Sequence, residues 1–146
     1  MTAKIEFVGL HDICLDPYNP RLGRAIDRAN LSQEEIYDRM KDWSLEELAT
    51  SFLESGFWPH EAVLCVTENQ DGHERLVVVE GNRRVAALKR LQKAFNGEEQ
   101  SRKWADIISE KDEPKDLFAR VPIIQVASRG EINSFLGFRH VTGIKE

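Results

Sequence analysis

The chain has 146 residues, of which 41% are hydrophobic and 31% are charged, and this composition predicts one compact domain. Its 20 Lys and Arg residues against 25 Asp and Glu residues give a net charge of −5, which excludes a uniformly basic protein that coats nucleic-acid backbones. The sequence shows neither a signal-peptide pattern nor an apolar run near the roughly 18 residues of a membrane span, so we expect a cytoplasmic protein without membrane contact.

The first 40 residues predict short strands, a constrained loop and one helix. Apolar and polar residues alternate from Lys4 to Leu15, which predicts one or two short strands interrupted by a glycine. Residues 16–21 form a loop, because two prolines fix φ and disfavour helical backbone in the residues before them. Residues 31–40 predict a polar helix with Ser32 as its N-cap and Glu35 as the partner in a capping box.

A second helix and a β-hairpin follow in the chain. Ser44 and Glu47 repeat the capping-box spacing, and the apolar residues after them share one helical face until Gly56 ends the run. Residues 63–66 then indicate a buried strand, and residues 75–79 indicate its return strand after an Asp-Gly turn. The continuous apolar character of the return strand predicts that both of its faces are covered.

The second half of the chain predicts helices and a further strand. A break at residues 80–82 leads from the return strand into a helix over residues 83–95 with an apolar stripe. Residues 96–116 are rich in charge and predict a surface insertion with a short amphipathic helix. A last strand at residues 119–126 precedes a helix that Ser128 caps. Because the chain stops a few residues later, we expect one domain of a longer protein.

The junction between the return strand and the third helix carries the clearest chemical signal. A strand that runs through Gly81 directly into a helix leaves the first backbone N–H groups of that helix free, and such groups attract anions. Arg83 and Arg84 add guanidinium donors at a helix start, where acidic residues are favoured, and a bound anion would remove this conflict. The alternative interpretation is a simple turn followed by a solvated basic face. We predict phosphate binding.

The distribution of charge supports a localised site. Between Arg75 and Lys93 there are six basic residues and one acidic residue, whereas residues 31–56 contain seven acidic and two basic residues. A basic strip on an acidic body suits a nucleotide, or one stretch of DNA backbone, better than broad DNA coating.

The same junction resembles a known family. Residues 80–87, Glu-Gly-Asn-Arg-Arg-Val-Ala-Ala, are similar to the glycine-arginine box of the ParB/sulfiredoxin superfamily, in which this loop binds the triphosphate of a nucleotide. Residues 15–21 resemble the Asn-Pro-x-x-Pro-Arg segment of ParB N-terminal domains, and residues 45–56, which lead to Pro59, resemble their helix ending in glycine. The resemblance spans residues 10–144. It implies an α+β, ParB/sulfiredoxin-like fold with a small mixed β-sheet, flanking helices and a nucleotide site formed by Gly81, Asn82, Arg83 and Arg84.

Two positions depart from the family pattern. Asn82 stands where sulfiredoxin has its catalytic cysteine, so the thiolate that sulfinic-acid reduction requires is missing. Chromosome-partitioning ParB proteins have a Glu-Asn-x-x-Arg motif that handles metal and phosphates, whereas residues 137–142 of this chain are Gly-Phe-Arg-His-Val-Thr. The choice between CTP and ATP therefore stays open.

Other charged residues are candidates for the same site. Glu80 ends the buried strand, where it would bind Mg²⁺ or orient a water molecule as the catalytic group, or else face solvent. Arg139 and His140 would reach phosphate or base if the final helix packs beside the glycine-arginine loop, or else complement the helix dipole. Arg21 and Arg24, after the proline loop, would reach the phosphates or lie on an exposed loop.

The remaining reactive and aromatic residues receive structural interpretations. Cys14 and Cys65 lie in apolar stretches without metal-ligand spacing, which indicates small buried hydrophobic residues. Trp43, Trp58 and Trp104 are interpreted as core or rim aromatic residues rather than platforms for base stacking.

Together these patterns predict a domain that binds a nucleoside triphosphate, CTP or ATP, with Mg²⁺. The expected function is that of a nucleotide switch or nucleoside triphosphatase in a DNA-associated protein, which could form a homodimer. One alternative is a metal-dependent DNA nuclease. Another is a non-catalytic module that binds DNA or protein, with the acidic helices of residues 31–56 as a partner surface.

Overall fold

The computed structural model of the protein describes residues 4–23, 28–70 and 72–132. Within these ranges the chain is α+β, with one mixed five-stranded sheet and flanking helices, as the sequence predicts at this level. Some predictions lie outside the described residues, namely those on Arg24, Asp71, Arg139, His140 and most of the final helix.

The sheet contains five strands, which are β1 (Ile5–Val8), β2 (Ile13–Cys14), β3 (Val63–Gln70), β4 (His73–Glu80) and β5 (Val121–Gln125). Their spatial order is β1-β5-β3-β4-β2. β1 is antiparallel to β5 and β3 is antiparallel to β4, whereas β5 is parallel to β3 and β2 is parallel to β4. β3 and β4 form the predicted hairpin, which the pair Gln70 and His73 closes. Since β2 and β4 are neighbouring parallel strands, their C-terminal ends lie at the same end of the sheet.

Helices pack on one face of this sheet. The described helices are α1 (Gln33–Met40), α2 (Glu46–Ser55), α3 (Asn82–Phe95), α4 (Arg102–Ile108) and α5 (Lys115–Ala119). α3 is the longest of them and contacts α1, α2 and α4. Its fully buried residues Val85, Leu88 and Leu91 belong to the main hydrophobic core. No helix within the described ranges is long and apolar enough to span a membrane.

The two predicted capping boxes have different outcomes. At α1, the Glu35 N–H donates to Ser32 Oγ at 3.1 Å and the Ser32 N–H donates to Glu35 Oε1 at 3.2 Å, which confirms the first box. At α2, Leu45 is the N-cap without a side-chain hydrogen bond, and Ser44 precedes it with a left-handed φ of 56°. The prediction that Ser44 caps α2 is therefore wrong, whereas Gly56 ends α2 as predicted.

The junction from β4 to α3 depends on a glycine. Gly81 is the N-cap of α3 and has a left-handed φ of 103°, which favours glycine. A Cβ atom added at Gly81 would lie 2.4 Å from Cγ1 and 2.8 Å from Cβ of Val63. Because Val63 begins the neighbouring strand β3, a larger residue at position 81 would push the junction away from the sheet. The predicted strand-glycine-helix junction is confirmed.

Residues 96–116 are mostly exposed, and they contact the core through α4. α4 forms the predicted short amphipathic helix, but Trp104 on this helix is fully buried in the main core. Ile107 and Ile108 pack against the same core. The segment therefore lies largely at the surface, whereas the apolar side of α4 is covered by the rest of the protein.

The middle strands are covered on both faces where they are apolar. Cys65 and Val78 belong to the main core beneath the helices, whereas Val66 and Val77 form a second buried cluster with Val126 on the other face. The prediction for β4 is thus confirmed at its centre. Its first three residues, which begin at His73, are exposed.

Candidate functional site

A cleft of about 320 Å³ lies at the start of α3. The loop after β2 and the junction after β4 both reach it, because the two parallel strands end at the same edge of the sheet. Its lining comprises Asn19, Arg21, Trp43, Leu48, Glu80, Gly81, Asn82, Arg83 and Arg84. The structure thus brings together the six predicted site residues that it describes. The other three candidates, Arg24, Arg139 and His140, are outside the described ranges.

The N-terminus of α3 offers backbone donors to this cleft. The Val85 N–H donates to the Gly81 carbonyl, so the amides of residues 82–84 precede the first hydrogen bond of the helix. Gly81 supplies no side-chain cap, and the first turn of α3 has no acidic residue. These amides and the positive end of the helix dipole therefore face the site without a negatively charged side chain of their own helix.

Arg84 is the most unusual side chain of the cleft. It is only 8% exposed, and its Nη1 lies 3.5 Å from the carbonyl oxygen of Glu61. Among the described residues no carboxylate lies within 4.0 Å of its guanidinium group. An arginine with five donors, of which the described residues satisfy one through a long hydrogen bond, is costly to bury, because buried charges are ordinarily paired.

Arg83 connects the cleft to the loop before α2. Its Nε donates to the carbonyl of Trp43 at 3.0 Å, and its Nη2 donates to the carbonyl of Ser44 at 2.6 Å. These acceptors are neutral, so they satisfy two donors without cancelling the positive charge. Arg83 consequently holds the loop in place and still contributes its charge to the cleft.

The side chain of Asn82 is used by the fold. It is 3% exposed, its Oδ1 accepts the Asp16 N–H at 2.9 Å, and its Nδ2 donates to the Val78 carbonyl at 3.0 Å. These bonds tie the loop after β2 to β4. The predicted role of Asn82 in binding phosphate is therefore limited to its backbone N–H, because its side chain is already hydrogen-bonded within the fold.

Arg21 and Trp43 contact each other in the lining of the cleft. The guanidinium carbon of Arg21 lies 4.4 Å from the centre of the Trp43 ring, which is a cation–π contact. Arg21 is exposed, and among the described residues it forms no ion pair with a carboxylate. The cleft thus has three arginines on its walls.

Glu80 is the carboxylate residue in the lining of the cleft. It is half-buried at the end of β4, beside Leu64 of β3. The described residues contain no group of three or more His, Cys, Asp or Glu side chains that could hold a metal ion. A single carboxylate fits Mg²⁺ only where phosphate oxygens and water complete the coordination, which is how Mg²⁺ binds in many nucleotide sites.

A charged network next to the cleft was missed by sequence reasoning. Arg129 donates to both carboxylate oxygens of Asp16, at 3.0 and 2.8 Å, and to both oxygens of Glu68, at 2.6 and 2.8 Å. These hydrogen bonds, that with Glu68 first and that with Asp16 second, raise the pKa of Arg129. The three residues lie far apart in the sequence, so no local pattern identifies the network. The predicted cap at Ser128 makes no side-chain hydrogen bond.

A larger groove of about 600 Å³ lies between α1 and α3. Its walls mix both signs of charge, with Glu34 and Asp38 opposite Lys89 and Lys93. Burial lowers the pKa of Lys89, whose Nζ lies 3.5 Å from the Leu10 carbonyl. Because its charges alternate, this groove shows no preference for one charged ligand class, and the smaller cleft at α3 is the better candidate.

The cysteines fit their predicted structural role. Cys65 is fully buried, and burial raises the pKa of its thiol to about 12, so the thiol stays protonated at neutral pH. Cys14 is half-buried against the second apolar cluster. Neither residue lines the cleft.

Known proteins offer no further assignment of the site. Comparison with protein-family models, with curated proteins and with solved structures gives no match to this chain. The superfamily and the ligand of the cleft therefore stay predictions that stand on the residues and geometry of the chain itself.

Proposed function

We propose that the cleft at the start of α3 binds the phosphate chain of a nucleoside triphosphate. The observation that carries the proposal is Arg84, a residue that is only 8% exposed, lines the cleft and has no carboxylate partner among the described residues. A polyphosphate would supply the missing negative charge and accept several of its donors. Arg21 and Arg83 add two further charges, and the amides of residues 82–84 add backbone donors.

Mg²⁺ belongs to this proposal as a companion of the phosphates. Glu80 would contact the ion or one of its water molecules, and phosphate oxygens would complete its coordination. When bound, the ion would neutralise charge on the phosphates. In hydrolysis, water would attack the terminal phosphorus, the bond to the bridging oxygen would break, and Glu80 would orient the water and accept its proton.

The wider role follows the family resemblance and is proposed with it. A ParB/sulfiredoxin-like fold with this cleft would serve as a nucleotide switch or nucleoside triphosphatase in a DNA-associated protein. The glycine-arginine junction supports this proposal, because Gly81, Arg83 and Arg84 line the cleft in the order that the resemblance implies.

Isothermal titration calorimetry tests the phosphate site directly. ATP, CTP, GTP, UTP and tripolyphosphate would each be titrated into the protein, with and without Mg²⁺. We expect binding that weakens with salt, and an affinity at least about 10-fold lower for Arg84→Gln, which removes one charge-assisted contact.

The matched control is Arg102→Gln, which removes the same charge from an exposed site on α4. It should leave the affinity within about 2-fold of the unaltered protein. Circular dichroism would establish that both variants fold. The proposal would be wrong if no polyphosphate bound, or if Arg84→Gln bound as tightly as Arg102→Gln.

A DNA phosphate is the second candidate ligand, and the exposure of Arg21 at the mouth of the cleft favours it. Fluorescence anisotropy with a labelled duplex, competed by ATP, separates the two ligands. A plasmid-nicking assay with Mg²⁺, in which Glu80→Gln is the inactive control, tests the nuclease hypothesis. Cleavage by the unaltered protein alone would favour the nuclease over the nucleotide switch.

A further inference from the structure

We infer that Trp43, with Arg21 stacked on its ring, forms a nucleobase subsite in the same cleft. This inference rests on the proposed binding of a nucleoside triphosphate and adds the group that would distinguish a nucleotide from bare polyphosphate. The ligand is a free nucleotide whose base stacks on the pair while its phosphates lie at the start of α3.

The position of Trp43 is the first observation. Trp43 and Arg21 both line the cleft of about 320 Å³ that also contains Arg83 and Arg84. The other tryptophans are placed differently. Trp104 is fully buried in the core, and Trp58, although exposed, does not line the cleft and donates its indole N–H to the Ser55 carbonyl.

The geometry of the pair is the second observation. The Arg21 guanidinium carbon lies over one face of the indole ring, 4.4 Å from its centre. Arg21 is exposed, and its recorded side-chain contact among the described residues is this stack. Both an indole ring and a guanidinium plane stack favourably on nucleobases. A base can therefore stack on the outer face of Arg21 or take its place on Trp43.

The third observation is that the platform, which consists of Trp43 and the Arg21 stacked on it, is anchored to α3. Arg83 hydrogen-bonds the carbonyls of Trp43 and Ser44 at 3.0 and 2.6 Å, which fixes the backbone of the platform to the first turn of α3. Ser44 has a left-handed φ of 56°, a conformation that L residues rarely adopt. Such outliers cluster at ligand sites, where the surrounding structure holds them. One side chain thus joins the stacking surface to the phosphate-binding groups.

Stacking predicts a specific pattern of affinity. Every nucleobase has a π-face, so the subsite should add affinity for all four nucleotides and discriminate weakly between them. It should add nothing for tripolyphosphate. We therefore expect ATP and CTP to bind at least about 10-fold more tightly than tripolyphosphate.

The test compares these ligands in matched tryptophan variants by calorimetry. Trp43→Leu should bind tripolyphosphate as the unaltered protein does and lose most of the preference for ATP, whereas Trp58→Leu should keep it. An unchanged preference in Trp43→Leu would overturn the subsite and leave the phosphate site standing. Absence of binding by both ligands would overturn the phosphate site, and the subsite with it.

Indole fluorescence gives a readout that does not depend on the stability of the leucine variant. ATP, but not tripolyphosphate, should quench the emission of the unaltered protein and of Trp58→Phe, and the quench should disappear in Trp43→Phe. A quench that persists in Trp43→Phe would contradict the inference. Tighter binding of a single-stranded oligonucleotide than of ATP, with the same dependence on Trp43, would also overturn the assignment to a free nucleotide.

Discussion

Two arginine environments meet at the loop after β2, and they have opposite surroundings. Arg129 donates four hydrogen bonds to Asp16 and Glu68, both carboxylates of its own chain. Arg84 is more deeply buried and has one long hydrogen bond to a carbonyl. The two regions are connected, because the backbone N–H of Asp16 donates to Asn82, which lies two residues before Arg84.

The comparison separates a structural arginine from a candidate binding arginine. The donors of Arg129 are already used by two carboxylates, so it stabilises the fold and has little to offer a ligand. Within the described ranges Arg84 has donors without an acceptor and a charge without a carboxylate partner, so a bound anion would lower its free energy. We therefore expect the two arginines to respond differently to a ligand and to substitution. The difference comes from the carboxylates around each arginine.

The largest expected effect comes from adding a side chain to Gly81, at the start of α3 in the cleft. Gly81→Ala should lower the free energy of unfolding by about 4 kcal/mol, because it adds left-handed strain and a clash between the new Cβ and Val63. Phosphate binding should be lost with it, since the start of α3 must move. Urea unfolding and calorimetry with tripolyphosphate measure the two effects.

Gly97→Ala is the matched control for Gly81→Ala. Gly97 also has a positive φ, of 77°, but an added Cβ there meets nothing within 4 Å. It should cost about 1 kcal/mol of unfolding free energy from backbone strain alone and leave phosphate binding intact. Equal losses of stability in the two variants would show that the contact with Val63 is unimportant.

Removing Arg129, which is paired with two carboxylates, should produce the next largest effect. Arg129→Ala leaves the buried carboxylate of Asp16 without its ion pair, and we expect a loss of about 3 kcal/mol in the free energy of unfolding. Arg129→Lys keeps the charge but not the paired geometry, so its loss should be smaller. Urea unfolding at neutral pH measures both variants.

Arg84→Gln gives the direct contrast to Arg129→Ala. It removes a buried charge that has no carboxylate partner among the described residues, so stability should stay within about 0.5 kcal/mol or increase. A loss as large as that of Arg129→Ala would break the comparison, because it would assign Arg84 to the same structural class.

Arg90 is another arginine that is paired with a carboxylate of its own chain. Its pair with Glu99 predicts that stability depends on pH. Burial acts to raise the pKa of Glu99, but hydrogen bonds from Arg90 and from the Ser101 N–H outweigh it and hold that pKa below its usual value. The folded state therefore binds the proton less readily than the unfolded state, and the stabilisation is present above pH about 4.5 and lost as the pH falls through the folded pKa.

Glu99→Gln tests this dependence. At neutral pH the variant should be about 1 kcal/mol less stable than the unaltered protein, and the difference should shrink as the pH falls below the ordinary carboxyl pKa of 4.5. Urea unfolding across this range measures it. The matched control is Glu110→Gln, an exposed carboxylate, which should give a parallel pH profile to the unaltered protein. A constant difference between Glu99→Gln and the unaltered protein would contradict the role of the Arg90 pair.

Local patterns predicted the parts of the fold that local interactions decide. The capping box of Ser32 and Glu35 forms because both partners lie within one turn of α1. The junction at Gly81 was predicted for the same reason, since a glycine between an apolar strand and an apolar helical stripe is visible in a short window. The grouping of Arg21 with residues 80–84 needed the resemblance, because it depends on the parallel pairing of β2 with β4.

Contacts between distant residues account for what the sequence did not reveal. Arg129 finds Asp16 across 113 positions and Glu68 across 61 positions, and nothing near Arg129 indicates either partner. Trp104 was interpreted as a core or rim aromatic residue, and only the packing of α4 against the rest of the chain decides for the core, where Trp104 is fully buried. Ser44 repeats the spacing of Ser32 without capping a helix, because α2 begins one residue later, with Leu45 at the N-cap position, and Ser44 has a left-handed φ of 56°.

The smallest expected effect comes from a substitution of Ser44, whose carbonyl is bound by Arg83 beside the cleft. Its left-handed φ of 56° is strained for serine and relaxed for glycine, so Ser44→Gly should raise the free energy of unfolding by about 0.5 kcal/mol after the greater chain entropy of glycine is deducted. Urea unfolding measures the change, with the exposed Ser109→Gly as a control at ordinary φ. If Arg83 holds this conformation for the sake of the cleft, the same substitution should weaken ATP binding relative to tripolyphosphate, because a freer backbone fixes Trp43 less firmly. An unchanged preference for ATP in this variant would show that the conformation of Ser44 does not serve the arginine cleft.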